Sequence, residues 1–217
     1  MIASQIVNVL YLFGLAGMIM GSVHAIMEED TRRMIAYSSV AQIGYIYMGI
    51  GLGTQAGMVA AVFHMFTHSA TKALLFISAV GLYEVSGDKK DYRSLRGAGY
   101  RNPLAGIGFA VGALSMVGFP MLAGFISKLL FATSALQSPH KMIPTLIVLA
   151  VSTILNAIYF LRLVITLYSG GGSEKKGKAS SWKLRAAILC FILLNLVLGL
   201  KSQPVVQAIW DGLAMFD

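Results

Sequence analysis

Long apolar stretches recur along this chain, separated by short polar or charged segments, and that alternation predicts helices that cross a membrane. No Asp, Glu, Lys or Arg occurs between Arg33 and Lys72, and the stretches Arg101 to Lys128, Lys141 to Arg162 and Arg185 to Lys201 are equally free of them. A spanning helix needs about 20 such residues to cross a hydrocarbon core of ~30 Å. The spans read as about 3–27, 34–50, 57–84, 103–136, 142–168 and 184–200, with a tail over 203–216. Val205, Val206, Ile209, Trp210 and Leu213 give the tail one apolar face, which predicts an amphipathic helix on the membrane surface. The N-terminal stretch lacks the charged start and small-residue cleavage site of a signal peptide, so it reads as a true span. The fold class is therefore all-α: one polytopic membrane domain over 1–217 with about six transmembrane helices.

The fourth stretch needs separate treatment. Its 34 residues would make a helix of ~51 Å if continuous, far longer than the core. Gly118, Phe119, Pro120 and Gly124 interrupt it, so it crosses either once as a broken helix or twice as two short ones. Loop charge separates the two. One crossing puts twelve basic loop residues on one side against Lys141 and Lys201 on the other, whereas two crossings give nine against five. Basic loops favour the inner side of a membrane. The expectation is one discontinuous helix broken near 118–124, termini outside and basic loops inside.

Composition supports this picture: 57% of residues are hydrophobic and 12% charged, about half the charge of a soluble domain. A net charge of +8 would suit nucleic acid, but the positive residues lie in loops between apolar spans, which argues for membrane orientation and against a nucleic-acid partner. Cys190 stands alone in an apolar span, with no partner for a disulfide and too few thiols for an iron–sulfur cluster. No dinucleotide-binding fingerprint follows a strand, and no cofactor is expected.

Candidate chemistry concentrates in the third span. At ~100° per residue, His64, His68 and Lys72 fall within an arc of roughly 80° on one helix face. Ionisable groups at bilayer depth cost several kcal/mol unless they meet a cavity or a partner, and they mark functional paths. Lys128 lies beside the helix break formed by Gly118, Pro120 and Gly124. These four residues are the candidate proton relay. Neighbouring groups lie ~6 Å apart along the axis, so waters must bridge them. Ser38, Gln42 and Tyr45 form a polar stripe on the second span, and with Thr67, Ser69 and Thr71 they are candidate relay helpers. Simpler readings stand beside each: hydroxyls bonded to the preceding turn, structural histidines, a snorkelling Lys72, Lys128 in a loop, or zinc on His64 and His68. Zinc is disfavoured because no third ligand is apparent, and no metal site is expected.

Three motifs occur in an order and spacing that resemble the antiporter-like subunits: Asp30-Thr31-Arg32-Arg33-Met34-Ile35-Ala36-Tyr37-Ser38-Ser39-Val40-Ala41-Gln42-Ile43-Gly44-Tyr45, the His64/His68/Lys72 helix, and Gly118-Phe119-Pro120-Met121-Leu122-Ala123-Gly124-Phe125-Ile126-Ser127-Lys128. That family includes proton-pumping membrane subunits of respiratory complex I, large subunits of Mrp sodium/proton antiporters, and relatives in membrane-bound hydrogenases. The resemblance covers essentially the whole chain. It implies that the chain corresponds to the last six helices of a fourteen-helix pattern, beginning with the second of two inverted repeats. The usual Asp-x-Lys-Arg turn is Asp30-Thr31-Arg32-Arg33 here, and the usual double proline is Phe119-Pro120. Leu129 stands where the largest complex I pump subunit carries an acid, which is closer to the Mrp and hydrogenase members.

The resemblance implies an ion-translocating subunit, most simply for protons, of a larger redox-driven or antiporter complex. In this half-channel, Lys128 is the terminal site and the histidines and Lys72 lead to it. Alternatives are a sodium/proton antiporter component with no redox partner, and a non-pumping structural subunit. Such a chain is not catalytic alone. Its partners would be other membrane subunits, including one supplying the first inverted repeat, together with protons or sodium and the lipid bilayer. Its location would be a bacterial or archaeal inner membrane or the membrane of an energy-transducing organelle.

Overall fold

The computed structural model describes residues 2–170 and 181–216. The Gly-Gly-Gly-Ser and lysine-rich loop, with Lys175, Lys176 and Lys178, lies outside the described residues. Helices α1 (Ile2–Met27), α2 (Thr31–Gly51) and α3 (Gln55–Glu84) come first. After a charged loop and the short α4 (Ala98–Arg101) follow α5 (Pro103–Val117), α6 (Ala123–Ala135), α7 (Pro139–Leu167), α8 (Trp182–Leu200) and α9 (Ser202–Leu213). Four of these, α1, α3, α7 and α8, contain stretches long and apolar enough to span a bilayer unaided. The α2 helix, 21 residues long, rises about 31 Å at 1.5 Å per residue and also suffices.

Local chemistry sets the ends. Asp30 caps α2, its carboxylate accepting from the backbone amides of Arg32 and Arg33, so both arginines fall in the first helical turn. Thr54 caps α3 by accepting from the Gly57 amide. Pro103 and Pro139 each open a helix, where a missing N–H costs nothing. The close pairing of α1 and α2 rests on two glycines. A Cβ on Gly14 would lie 2.8 Å from the Gly44 carbonyl oxygen, and one on Gly44 would lie 2.7 Å from that of Gly14, so the backbones touch where larger residues would hold them apart.

Contacts at the two ends fix the path of the chain. At the charged-loop end the Thr31 amide donates to the Lys90 carbonyl at 2.9 Å, and the Gly97 amide to that of Thr166 at 3.3 Å. There too Asn102, at the start of α5, donates through Nδ2 to the Gly81 carbonyl at 3.0 Å. At the opposite end Ser138, just after α6, donates to the Leu52 carbonyl at 3.0 Å, and Lys141 Nζ to that of Gly51 at 2.7 Å. The α5 and α6 helices thus start at one end of the bundle and finish at the other, forming one crossing in two pieces. The protein is an all-α polytopic membrane bundle with one discontinuous helix and a C-terminal amphipathic helix.

The largest apolar core joins Met34 and Ile35 of α2, Leu74 and Leu75 of α3, Phe109 of α5 and Tyr159 and Phe160 of α7. A second gathers Tyr11, Met18, Tyr45, Met48 and Phe131. Helix α9 turns back on the bundle, with Val205 packed against Ala70, Ala123 and Leu198.

Candidate functional site

The helix break is built from chain chemistry. Gly118 adopts φ +95°, in the left-handed region, which a glycine enters without a Cβ penalty. Its amide reaches the Ser115 carbonyl at 3.0 Å and the Phe119 amide reaches that of Leu114 at 2.9 Å, the paired bonds of a Schellman termination. Helix termination frees the last carbonyls of α5 for other donors. Lys128, one turn into α6, takes one: its Nζ donates to the Val117 carbonyl at 2.8 Å and to Thr153 Oγ1 of α7 at 2.9 Å. The same Nζ lies 5.7 Å from the centre of the Tyr45 ring.

Lys72 is 7% exposed. It points from α3 to α2, where its Nζ donates to the Ile35 carbonyl at 2.6 Å and to the Ser38 hydroxyl. Between the two lysines run the histidines. The rings of His64 and His68 are stacked with centroids 6.0 Å apart. His64 Nδ1 meets Ser127 Oγ of α6 at 2.6 Å, and Tyr45 stacks on its ring at 5.5 Å. A small void of about 10 Å³ is lined by Gln42, His64, His68, Thr71, Ser115 and Lys128, among others. That is about the smallest space that admits one water. Three buried polar atoms of these residues, Gln42 Nε2, His64 Nε2 and His68 Nδ1, have no protein partner among the described residues. Buried polar groups are rarely left so, and a bridging water would satisfy them.

The sequence-derived residues thus divide. His64, His68, Lys72, Lys128, Ser38, Gln42, Tyr45, Thr67 and Thr71 meet at the junction of α2, α3 and α6 or immediately beside it. Ser69 does not: it is exposed and its hydroxyl donates to the Met65 carbonyl at 2.8 Å. Among the described residues, no group of three His, Cys, Asp or Glu side chains is placed to hold a metal.

The structure ties further polar residues into the neighbourhood of the candidate relay. Asn195 of α8 accepts through Oδ1 from Thr71 and Ser115, each at 2.9 Å, while Ser115 Oγ accepts from the Gly124 amide at 3.2 Å. One amide therefore ties α3, both sides of the break and α8 together. From α7, Ser152 accepts from the Tyr45 hydroxyl at 3.1 Å, and Asn156 accepts from Tyr159 at 2.5 Å and from Ser22 at 3.4 Å. Ser152, Thr153, Asn156 and Tyr159 recur at helical spacing along one side of α7, a polar stripe that could have been read from the sequence. The partners of Asn195 could not, because they come from helices far apart in the chain.

A histidine- and lysine-bearing helix packed against a broken helix that carries a second, partly buried lysine is the arrangement that the resemblance to antiporter-like membrane subunits implied. Residues 1–155 match the family model described as NADH:quinone oxidoreductase/Mrp antiporter, transmembrane, and the chain belongs to that family. It is 35% identical over 218 residues to NADH-quinone oxidoreductase subunit N of Desulforudis audaxviator, covering 94% of this chain and 43% of that protein. It is 31% identical over 201 residues to subunit L of Buchnera aphidicola, covering 91% of this chain and 32% of that one. Among solved structures, the Mrp complex of a Dietzia species matches with a TM-score of 0.86 at 24% identity, over 96% of this chain and 47% of that one. An archaeal membrane-bound sulfane sulfur reductase gives 0.85 at 25% identity, over 95% and 41%. Respiratory complex I of Thermus thermophilus gives 0.73 at 28%, over 93% and 45%. The chain thus spans less than half the length of these relatives.

Proposed function

We propose that this chain forms an ion-conducting half-channel, most simply for protons, in an antiporter-like subunit of a larger redox-driven or antiporter complex. The observation that carries the reading is the line of titratable groups Lys72, His68, His64 and Lys128 inside the bundle, ending at a helix break. In lipid such groups are retained where charge must move.

Chemistry supplies the steps. A neutral imidazole can take a proton at one ring nitrogen and release one from the other, so each histidine can pass a proton along without keeping a charge. A water in the small void would join His68 Nδ1 to His64 Nε2, while His64 Nδ1 already meets Ser127, the residue before Lys128. Lys128, resting on a free carbonyl at the C-terminal end of α5, where the helix dipole favours a cation, is the terminal site. Protons would enter from the charged-loop end and leave at the opposite end. The twelve basic loop residues support placing the charged-loop end inside and the termini outside. Because the relatives extend well beyond this chain, other membrane subunits, or a segment supplying the first inverted repeat, would complete the pathway. The energy-transducing membrane of a prokaryote or an organelle suits this role.

The test is proton and sodium flux in sealed vesicles containing the parent assembly, comparing wild type with Lys72→Ala and Lys128→Ala at matched assembly. Loss of flux in both variants is expected, and the sodium trace separates a proton pump from an exchanger. Unchanged flux would overturn the reading and leave a structural subunit.

A further inference from the structure

A basic cleft at the charged-loop end takes no part in the relay. Its volume is about 300 Å³, and its lining is Tyr92, Arg93, Arg96, Arg162, Thr166 and Ser169, with no carboxylate among them. It is a built feature. Arg101 clamps the loop by donating through Nε to the Val85 carbonyl at 3.1 Å, through Nη1 to that of Arg96 at 3.0 Å and through Nη2 to Ser86 Oγ at 3.1 Å. Asp91 accepts from the Ser94 amide at 3.0 Å and hydroxyl at 2.8 Å. On this frame the Arg162 guanidinium lies 4.4 Å from the centre of the Tyr92 ring. Its Nη1 also donates to the Ile26 carbonyl at 3.5 Å, which leaves the other N–H groups of the fork to donate into the cleft. The Tyr92 hydroxyl is buried and has no protein partner among the described residues. Burial pushes its phenol pKa up, so it stays a donor at physiological pH. The side chains of Arg93 and Arg96 make no hydrogen bond to protein among the described residues. Glu29 and Asp91 line an adjoining cleft that has Tyr92, Arg93 and Arg162 in common with this one.

Below the cleft, Ile154, Ile158, Leu161 and Ile165 of α7 are 62%, 47%, 37% and 65% exposed. Their spacing of four, three and four places them on one helix face, within about a quarter turn of Arg162. An arginine cleft thus stands at the head of an exposed apolar ridge.

We propose that this cleft holds the phosphate of an anionic phospholipid headgroup, with the acyl chains lying along the α7 ridge. Forked guanidinium donors match phosphate oxygens, and basic pockets at this level of a membrane protein select anionic lipid. A free phosphate ion would use the same donors but gain nothing from the ridge.

The test uses the membrane assembly purified through this chain and reconstituted in phosphatidylcholine vesicles carrying trace spin-labelled phosphatidylglycerol or, in parallel, spin-labelled phosphatidylcholine. Wild type should immobilise more phosphatidylglycerol than phosphatidylcholine. That excess should be lost in Arg96→Gln/Arg162→Gln, and should persist in Lys201→Gln, which removes a charge at the opposite end. Arg162→Lys, which keeps the charge but not the fork, should lose part of it and covers the case in which the double variant does not assemble. An excess equal in wild type and in every arginine variant would overturn the proposal. So would displacement of the labelled lipid by inorganic phosphate, which assigns the cleft to a free anion, or no excess in wild type together with a cross-link from Arg93→Cys to a neighbouring subunit, which assigns it to protein.

Discussion

Lys72 and Lys128 are held in the same way, although they lie on different helices: each amine donates to one backbone carbonyl and one side-chain hydroxyl. For Lys72 these are Ile35 and Ser38 of α2, and for Lys128 they are Val117 at the break and Thr153 of α7. Among the described residues neither lysine rests on a carboxylate. A site that must gain and lose a proton is better served by neutral acceptors than by a counter-ion whose removal would strand a buried charge.

Ser38→Ala should therefore weaken the Lys72 site, leaving the Ile35 carbonyl as its one remaining partner of the pair. A buried donor deprived of its partner costs about 1–3 kcal/mol. The expected result is a lower thermal midpoint of the purified assembly and slower flux, with Ser38→Thr restoring both.

Gly118→Ala tests the break. A left-handed conformation costs an L residue roughly 1–2 kcal/mol, and the new methyl would sit 2.9 Å from Lys128 Cδ. The lysine stem must shift, so flux should fall further than assembly level does, which a comparison of the two in the same membranes reads directly.

Asn195→Leu removes the shared acceptor of Thr71 and Ser115 and puts an apolar side chain against two buried hydroxyls. Breaking such a node should cost about 2 kcal/mol or more. Faster hydrogen exchange in the first turn of α6, whose Gly124 amide depends on Ser115, should accompany the lower melting temperature.

Ser69→Ala and His64→Phe form a contrasting pair. The Ser69 hydroxyl is exposed and bonded within its own helix, so its removal should leave flux and stability within error of wild type. His64→Phe fills the space but cannot carry a proton, and flux should be lost while the complex still assembles.

The loop cap at Asp91 gives a pH dependence with a definite sign. Hydrogen bonds from the Ser94 hydroxyl and amide hold the Asp91 carboxyl below the usual carboxylate range. A lowered folded-state pKa gives a contribution that is full above the ordinary value of about 3.9 and is lost as pH falls through the folded value. The expected outcome is a Ser94 amide whose protection relative to its intrinsic exchange rate is present near neutral pH and falls once the solution is acidified past that point, and an Asp91→Asn variant that shows no such transition.

Much of this protein was legible in one dimension. Apolar runs reveal a spanning helix because lipid penalises every unpaired polar group along its length. Glycine and proline mark the break because their backbones are special wherever they occur. His64, His68 and Lys72 announce a shared face because helical geometry fixes side-chain direction from sequence spacing alone. Ser69 shows the limit of that argument: it lies beside the polar face in sequence, yet turning one more residue around the helix takes it out to the surface.

What the sequence by itself determined is thus an all-α membrane bundle, its broken helix and the titratable stripe, since each follows from hydropathy, backbone preference or period within one segment. The tertiary structure alone decided which acceptor each lysine meets, that Asn195 ties three helices at the break, and that Arg162 stacks on Tyr92. Those contacts join residues 11 to 124 positions apart along the chain, and no local pattern encodes them. They arise when helices pack, because an amine, hydroxyl or amide cut off from water must find its partner on whichever neighbour packing brings within about 3 Å.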